Sequence, residues 1–422
     1  MIEKYYDGAI EQVAAGLGTV EKNHLLVRYS GQFSVENLND TKQLEKNEDI
    51  FVQVHEFETG EITCAYEPYL TMICDGFRRY MTGTFEEFME TCDVYYLHRP
   101  VLLGYFNQDN TGREEIILLD EVAYEQERML AALERMLCAI ADRHPVLFVL
   151  NRFQLASKST MQLTARFLKC ENCNIGLVLG VSDIQAMPEF LVPDWEMLYE
   201  TLDDGSKIYH IGNSGRKKEE TIDDEKYVDY GSEKVYRKLQ NMVEFLDFDQ
   251  AAYYLETIER KIKFDNLLVD DAARFRMWLL FVKVSILRQD IPKALEICED
   301  LEKIHLAGKE EECAYEQDYL IATAYMYQGK LKEALEMAGE TYRIAGKMSD
   351  DYRMFLSELL EAKIQMSGWY NIFFCAQDVK IKESLIQNLI RYNYRNHLAH
   401  VYIYAYDNKP EIVKKQTSPR SF

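Results

Sequence analysis

Short apolar segments alternate with amphipathic ones over the first half of the chain. Five segments have the almost continuous apolar character of strands that are covered on both faces: 24–29, 49–54, 145–150, 174–180 and 207–212. Residues 122–142 carry apolar side chains three and four positions apart, which predicts one long amphipathic helix. Strands that alternate with helices predict a largely parallel sheet with right-handed crossovers.

The pattern changes near residue 215, where a polar and highly charged segment interrupts the alternation. After it, helical periodicity continues until a polar C-terminal segment. We therefore predict four parts: an α/β domain over 1–215, a charged linker over 216–235, a helical domain over 236–408 and a polar tail over 409–422.

The helical half repeats itself. The segments FDQAAYYLE, IPKALEICE and LKEALEMAG superimpose with Ala251, Ala294 and Ala334 in register, 43 and 40 residues apart. Each follows a short turn; Gly329 lies in the third turn, and Gly368 follows it by 39 residues. A period near 40 with a small residue at one position is typical of stacked helix–turn–helix units, in which that residue lets helices approach closely. A helical bundle without repeats is the alternative.

This half resembles tetratricopeptide (TPR) repeats, particularly the longer-period form found in bacterial signal-transduction ATPases. The resemblance covers residues 236–408 and is loose, because the aromatic positions of the shorter standard repeat are not cleanly present. It implies an all-α solenoid that binds a protein or peptide.

Charge and cysteine content disfavour proteins that bind nucleic acid or membranes and proteins held together by disulfide bonds. The chain has 71 acidic and 48 basic residues among 422, a formal charge of −23, which disfavours binding to nucleic acid or to an anionic membrane. The sequence has neither a signal-peptide pattern nor an apolar segment of membrane-spanning length. Its nine cysteines lack the spacing of a disulfide framework. A cytoplasmic protein with reduced thiols is the expectation.

The region 125–183 carries a second resemblance. A long amphipathic helix leads into His144-Pro145 and an apolar strand, and Leu155–Thr160 (LASKST) then opens the next helix. This order is similar to the Walker B region of STAND-type AAA+ ATPases, and residues 65–70 (AYEPYL) look like the aromatic-proline element of that family. The resemblance implies a three-layer, P-loop NTPase-like parallel sheet. A generic α/β domain with similar strands is the alternative.

This sequence differs from the family at the positions that bind nucleotide phosphates and Mg²⁺. Asn151 and Arg152 stand where the family has two acidic residues, although Mg²⁺ needs anionic oxygen ligands there. Ser30 and Gly31 stand where the phosphate loop should begin, but no second glycine and no Lys-Ser/Thr pair follow. We therefore predict a pseudo-ATPase that is not an enzyme and requires no cofactor or metal. If ATP or ADP still binds weakly, these four residues are the remaining contacts.

Two further motifs contain residue types that can bind metals or undergo redox chemistry. Cys170-x-x-Cys173 lacks the second pair of ligands that zinc requires, and His397-x-x-His400 has no acidic or cysteine partner nearby in the sequence. Ordinary thiols, and histidines with a surface or packing role, are the simpler interpretation.

The leading hypothesis is a non-catalytic signalling or scaffold protein, in which a pseudo-ATPase domain is coupled to protein-binding repeats. Its expected partners are a protein or peptide bound through the helical repeats and a second copy of the chain, but neither nucleic acid nor membrane. Tyrosines such as Tyr315, Tyr327 and Tyr394 could supply aromatic contacts or fill the gaps between helices. The alternative is a nucleotide-binding STAND-type switch. A third hypothesis, a transcription-regulator relative without its DNA-binding domain, is disfavoured by charge.

Overall fold

A computed structural model describes residues 2–19, 24–29, 49–58, 61–108, 121–170, 174–182, 187–203, 207–211, 229–265, 267–367 and 382–408. The chain divides into two compact units. The described residues up to Tyr254 belong to the first unit, and those from Leu255 belong to the second. Among the described helices, none combines the length and the apolar character needed to cross a membrane.

The first unit contains a parallel sheet. Its strands are β1 (His24–Tyr29), β2 (Phe51–Glu56), β3 (Val146–Asn151), β4 (Ile175–Ser182) and β5 (Lys207–Ile211). They are arranged in the order β2-β3-β4-β1-β5, and every neighbouring pair is parallel. Every residue of the central strands β3 and β4 is buried, which explains their continuous apolar sequence. The predicted largely parallel sheet is confirmed.

Helices cover both faces of this sheet. Those of the first unit are α1 (Ile2–Gly16), α2 (Tyr69–Tyr80), α3 (Phe85–Thr91), α4 (Arg99–Asn107), α5 (Val122–Ala141), α6 (Lys158–Lys169), α7 (Val192–Asp203) and α8 (Glu233–Glu244). On one face, Ile10 and Val13 of α1 pack against Val149. On the other face, the rings of Tyr69 and Phe167 lie 4.7 and 6.5 Å from that of Phe148. The sheet is thus the middle of three layers.

Helix α9 (Phe248–Phe264) begins in the first unit and ends in the second. The division between the units therefore lies later than the predicted boundary, and residue 236, where the helical domain was expected to begin, falls within α8. Residues 212–228 and 409–422, which include most of the predicted linker and the whole predicted tail, are outside the described residues.

The second unit is helical throughout its described residues. Its helices are α10 (Asp271–Leu287), α11 (Ile291–Leu301), α12 (Glu310–Gln328), α13 (Leu331–Met348), α14 (Asp351–Met366), α15 (Glu383–Arg391) and α16 (Arg395–Asn408). Consecutive helices pack against each other, α12 on α13 and α13 on α14. An α/β part followed by an all-α part confirms the predicted fold class at this level.

One turn geometry recurs between the helices. Leu246, Gln289, Gly329 and Asn393 all have a positive φ, between 59° and 81°, and each lies two residues before the next helix begins. The N–H of the following residue donates to a carbonyl five residues back, as in Asp290 to Ser285 and Lys330 to Tyr325, at 2.8 and 2.9 Å. This bond belongs to the Schellman type of helix end, which favours glycine at the left-handed position. The turns at Leu246, Gln289 and Gly329 lie 43 and 40 residues apart, as in the sequence repeat, whereas Asn393 and a further turn of the same kind at Ser349 do not follow this spacing.

The packing positions expected from the repeats are buried. Ala251, Ala294 and Ala334 are each 0% exposed. Ala334 packs against Ala322 and Leu360 of the neighbouring helices, whereas Ala251 belongs to the first unit. Gly329 caps α12 with φ 81°, and Gly368 is outside the described residues.

Two glycines of this region should respond oppositely to alanine. Gly329→Ala places a side chain at φ 81° and should lower the free energy of unfolding by about 1 kcal/mol. Gly339→Ala, at an open position inside α13, should raise it by about 0.5–1 kcal/mol. Urea unfolding of the two variants measures both values. A Gly329→Ala variant as stable as the unmodified protein would contradict the assignment of Gly329 as a left-handed cap, because neither site is sterically crowded.

Candidate functional site

The strand order locates a crevice at the carboxyl edge of the sheet. From β1 the chain proceeds to β2 at one edge, whereas from β4 it proceeds to β5 beyond β1. Right-handed crossovers would carry these two connections over opposite faces of the sheet. Ligands of open α/β sheets bind where such neighbouring connections diverge, here between β1 and β4. The ends of these strands, Tyr29 and Ser182, are paired in the ladder.

The end of β1 is joined to the end of β3 by a side-chain hydrogen bond. The Tyr29 hydroxyl donates to Asn151 Oδ1 at 2.6 Å, and both side chains are buried. Strand β4 lies between them, so the tyrosine side chain must cross it. Gly180, two residues before Ser182 and hence on the same face, has no side chain that would obstruct this path. Asn151 is therefore engaged within the protein.

Arg152 is engaged as well. It has a left-handed backbone with φ 53°, and its Nε lies 3.3 Å from Oε1 of Glu56, the last residue of β2. Burial raises the pKa of Tyr29 to about 12, although the neighbouring Arg152 guanidinium acts in the opposite direction. The phenol is therefore neutral near pH 7 and can serve as the donor to Asn151.

The end of β4 is held by a glutamine. Gln154 Nε2 donates to the Ser182 carbonyl at 3.2 Å, and the Ser182 N–H donates to Gln154 Oε1 at 3.3 Å. Gln154 lies in a short 3-10 helix, 153–155, that follows β3. The amide side chain thereby pairs with the strand end as another strand would. Polar groups from four strand ends are thus used in contacts within the protein.

Two of the four predicted nucleotide contacts lie within the described residues. Asn151 and Arg152 lie together at this edge, whereas Ser30 and Gly31 are outside the described residues. In the described part of the chain, no group of three or more His, Cys, Asp or Glu side chains is arranged to hold a metal ion. Sequence reasoning missed Tyr29 and Glu56, since nothing in the local pattern shows that strand ends far apart in the chain are neighbours.

Comparison with protein families, curated proteins and solved structures yields no match to this chain. Its function must be argued from the arrangement of its own residues.

A second polar cluster surrounds the N-terminus of α6, at the LASKST sequence. The first N–H groups of this helix all have acceptors: Lys158 donates to Gln250 Oε1 at 3.2 Å, Ser159 to Asp247 Oδ2 at 3.0 Å and Thr160 to Ser157 Oγ at 3.2 Å. Two of these acceptors come from α9 and the residue before it: Gln250 lies in the first turn of α9, and Asp247 directly precedes that helix. The α6 N-terminus therefore anchors the start of α9.

Asp247 serves two helices at once. Its Oδ1 also accepts from the N–H of Gln250 in the first turn of α9, at 3.4 Å. Burial raises the pKa of the Asp247 carboxyl, while the bonds from Ser159 and Gln250 and the positive charge of Lys158 oppose that effect. Lys158 Nζ is in turn paired with Asp249. One carboxylate thus stabilises two helix N-termini.

The hydroxyl groups of the same sequence hold the aromatic-proline segment. The Tyr66 N–H donates to Ser159 Oγ at 3.0 Å, and the Thr160 hydroxyl donates to the Glu67 carbonyl at 2.9 Å. The structure thus brings LASKST and AYEPYL, two elements of the family resemblance, into direct contact. In the structure, these two sequences join the start of α2 to the start of α6 within the first unit.

The contribution of the Tyr29–Asn151 bond can be measured with a double-mutant cycle. Tyr29→Phe should lower the free energy of unfolding by about 1 kcal/mol, because a buried hydrogen bond is lost while the ring remains. Asn151→Ala and the double variant complete the cycle, with an expected coupling of about 1 kcal/mol. Urea unfolding supplies the four values. Additive effects of the two single variants would contradict a direct contribution of this bond.

Proposed function

We propose that this protein is a non-catalytic signalling or scaffold protein, in which a pseudo-ATPase-like α/β unit is coupled to protein-binding helical repeats. The observation that carries the proposal is the engagement of Tyr29, Asn151 and Arg152 in contacts within the protein at the carboxyl edge of the sheet. The proposal includes a cytoplasmic location for the protein.

The edge contacts favour a binding role over hydrolysis. Phosphoryl transfer needs a carboxylate free to hold Mg²⁺ and a group that orients the attacking water. At the end of β3 this chain has a neutral amide bonded to Tyr29 and a guanidinium paired with Glu56. The positive charge of Arg152 lies beside the Glu56 carboxylate, and it disfavours the binding of a metal cation at this position.

The helical unit supports the part of the proposal that concerns a protein partner. Its recurring turns and buried alanines favour stacked hairpins of the TPR kind, which bind partners along an extended surface. Tyr315 and Tyr394 are buried, and the Tyr315 hydroxyl donates to the Arg353 carbonyl at 2.9 Å, so these rings fill gaps between helices. Tyr327, Tyr342 and Tyr352 are between 37 and 40% exposed and remain candidates for aromatic contacts.

A nucleotide titration tests the proposal. We expect that 1 mM ATP or ADP, with or without Mg²⁺, leaves the melting temperature of the full chain unchanged. A ligand that binds the native state with a Kd of 10 μM would stabilise it by about 2.7 kcal/mol at that concentration, which would shift the midpoint by several degrees. Thermal unfolding followed by circular dichroism gives the measurement, with Mg²⁺ alone as the control.

The second candidate is a nucleotide-binding regulatory switch. The strand order favours it, because β1 ends at the point where ligands of such sheets bind, and Ser30 and Gly31 are the next residues in the sequence. A Mg²⁺-dependent rise in melting temperature that is lost in Asn151→Leu would support the switch and count against the pure scaffold. Measurable ATP turnover would overturn both the assignment as a pseudo-ATPase and the role given to Arg152.

A further inference from the structure

Two cysteines that are distant in sequence lie side by side in the first unit. Cys138, in the last turns of α5, and Cys170, the residue that ends α6, have their sulfur atoms 3.6 Å apart. Both are reduced and partly exposed. A disulfide bond is about 2.05 Å long, so the two sulfurs must approach by roughly 1.6 Å to form one.

We propose that Cys138 and Cys170 are a modification site, at which an oxidant of the peroxide class joins them in a reversible disulfide. The bond would tie the end of α5 to the end of α6. The loop that it closes, 138–170, contains β3 with Asn151 and the LASKST sequence. The modification would therefore constrain both polar clusters of the first unit, and it does not depend on the proposed function.

The surroundings of Cys138 disfavour its thiolate form. Burial raises the pKa of the Cys138 thiol, and the neighbouring Cys170 and the carboxylates of Glu134 and Asp142 raise it further. The thiolate is the form that reacts with peroxide, which makes Cys138 a slow first nucleophile. In the proposed sequence, Cys170 reacts first and Cys138 resolves the product.

The chemistry balances with one peroxide for each disulfide. The Cys170 sulfur attacks one peroxide oxygen, the O–O bond breaks, and a sulfenic acid and one water result. Cys138 then attacks the sulfenic sulfur; the S–O bond breaks, the S–S bond forms, and a second water leaves with the thiol proton. The two thiols lose two electrons, and one hydrogen peroxide gains them. A dithiol reductant reverses the reaction.

Peptide mapping distinguishes this disulfide from its nearest competitor, a bond between Cys170 and Cys173. The full chain is treated with hydrogen peroxide, its remaining thiols are alkylated, and it is digested with trypsin and a protease that cuts after glutamate. Glu171 separates Cys170 from Cys173, so the expected product is peptide 136–143 bonded to peptide 170–171. Recovery of alkylated Cys138 together with a Cys170–Cys173 bond, or with Cys170 as a sulfinic acid, would overturn the proposal.

Cysteine variants distinguish formation of the Cys138–Cys170 disulfide from general oxidation of the protein. The linked peptide should persist in Cys173→Ser and in Cys92→Ser, which removes a buried thiol elsewhere in the first unit. It should be absent from Cys138→Ser, whose fold is checked by circular dichroism. Closure of this loop should also raise the melting temperature by about 5 °C, and reduction should reverse the rise. An equal rise in Cys138→Ser would show that another site is responsible.

Discussion

Replacing Asp247 with alanine should lower the free energy of unfolding of the first unit by about 3 kcal/mol. Two buried N–H groups, those of Ser159 and Gln250, would lose their acceptor, and each unsatisfied donor costs about 1–3 kcal/mol. The carboxylate also stabilises the positive ends of α6 and α9. Removal of the desolvation cost of the carboxylate offsets part of the loss. Urea unfolding followed by circular dichroism measures the change.

Two variants of the same segment are controls for this prediction. Asp247→Asn keeps one acceptor oxygen and should cost about half as much. Asp249→Ala removes only the pairing of a partly exposed carboxylate with Lys158 and should cost less than about 1 kcal/mol. Hydrogen exchange should be faster at residues 157–160 in Asp247→Ala alone. An alanine variant no less stable than Asp249→Ala would show that the buried carboxylate does not join the two helices.

Ala334→Leu should lower the free energy of unfolding of the second unit by about 2 kcal/mol. Ala334 is fully buried on α13 and packs against Ala322 of α12 and against Leu360 and Ile364 of α14. A larger side chain must push these helices apart, and overpacking of this kind typically costs 1–3 kcal/mol. Thermal and urea unfolding measure the loss.

Glu333→Leu is the matched control, because it adds the same side chain one position earlier on the exposed face of α13. Its effect should stay within about 0.5 kcal/mol. Equal stabilities of the two variants would contradict the role of Ala334 as the point of close helix approach. The same comparison at Ala294 would test whether the role recurs in the preceding hairpin.

Local patterns were sufficient to predict the five strands and four of the helices. The long helix predicted over 122–142 is observed as Val122–Ala141, and the three repeat segments begin helices at Phe248, Ile291 and Leu331. These predictions succeed because apolar periodicity reports which face of a helix or strand is buried. The coarse fold class followed from the same information. The relation to TPR repeats and to the P-loop fold stays a prediction.

The candidate site was less accessible from the sequence, because its contacts join residues far apart in the chain. Tyr29 and Asn151 meet across β4 because β1 and β3 both flank that strand, an order that hydrophobic patterns do not encode. Asp247 was recognisable only as part of a turn, and nothing local showed that it would reach the N-terminus of α6. The sequence places Cys170 near Cys173, three residues later, but the described thiol beside it in the fold is that of Cys138.

The strand order also has a consequence for biosynthesis. Strand β1 pairs only with β4 and β5, and both begin after residue 174. At ribosomal elongation rates, on the order of 10 s pass between the appearance of β1 and that of its first partner. During this time its apolar side chains and unpaired backbone groups are open to contact with other nascent chains. Helix α1 precedes β1 in the chain and packs against it in the folded unit. It can therefore cover one face of β1 before β4 and β5 have been synthesised.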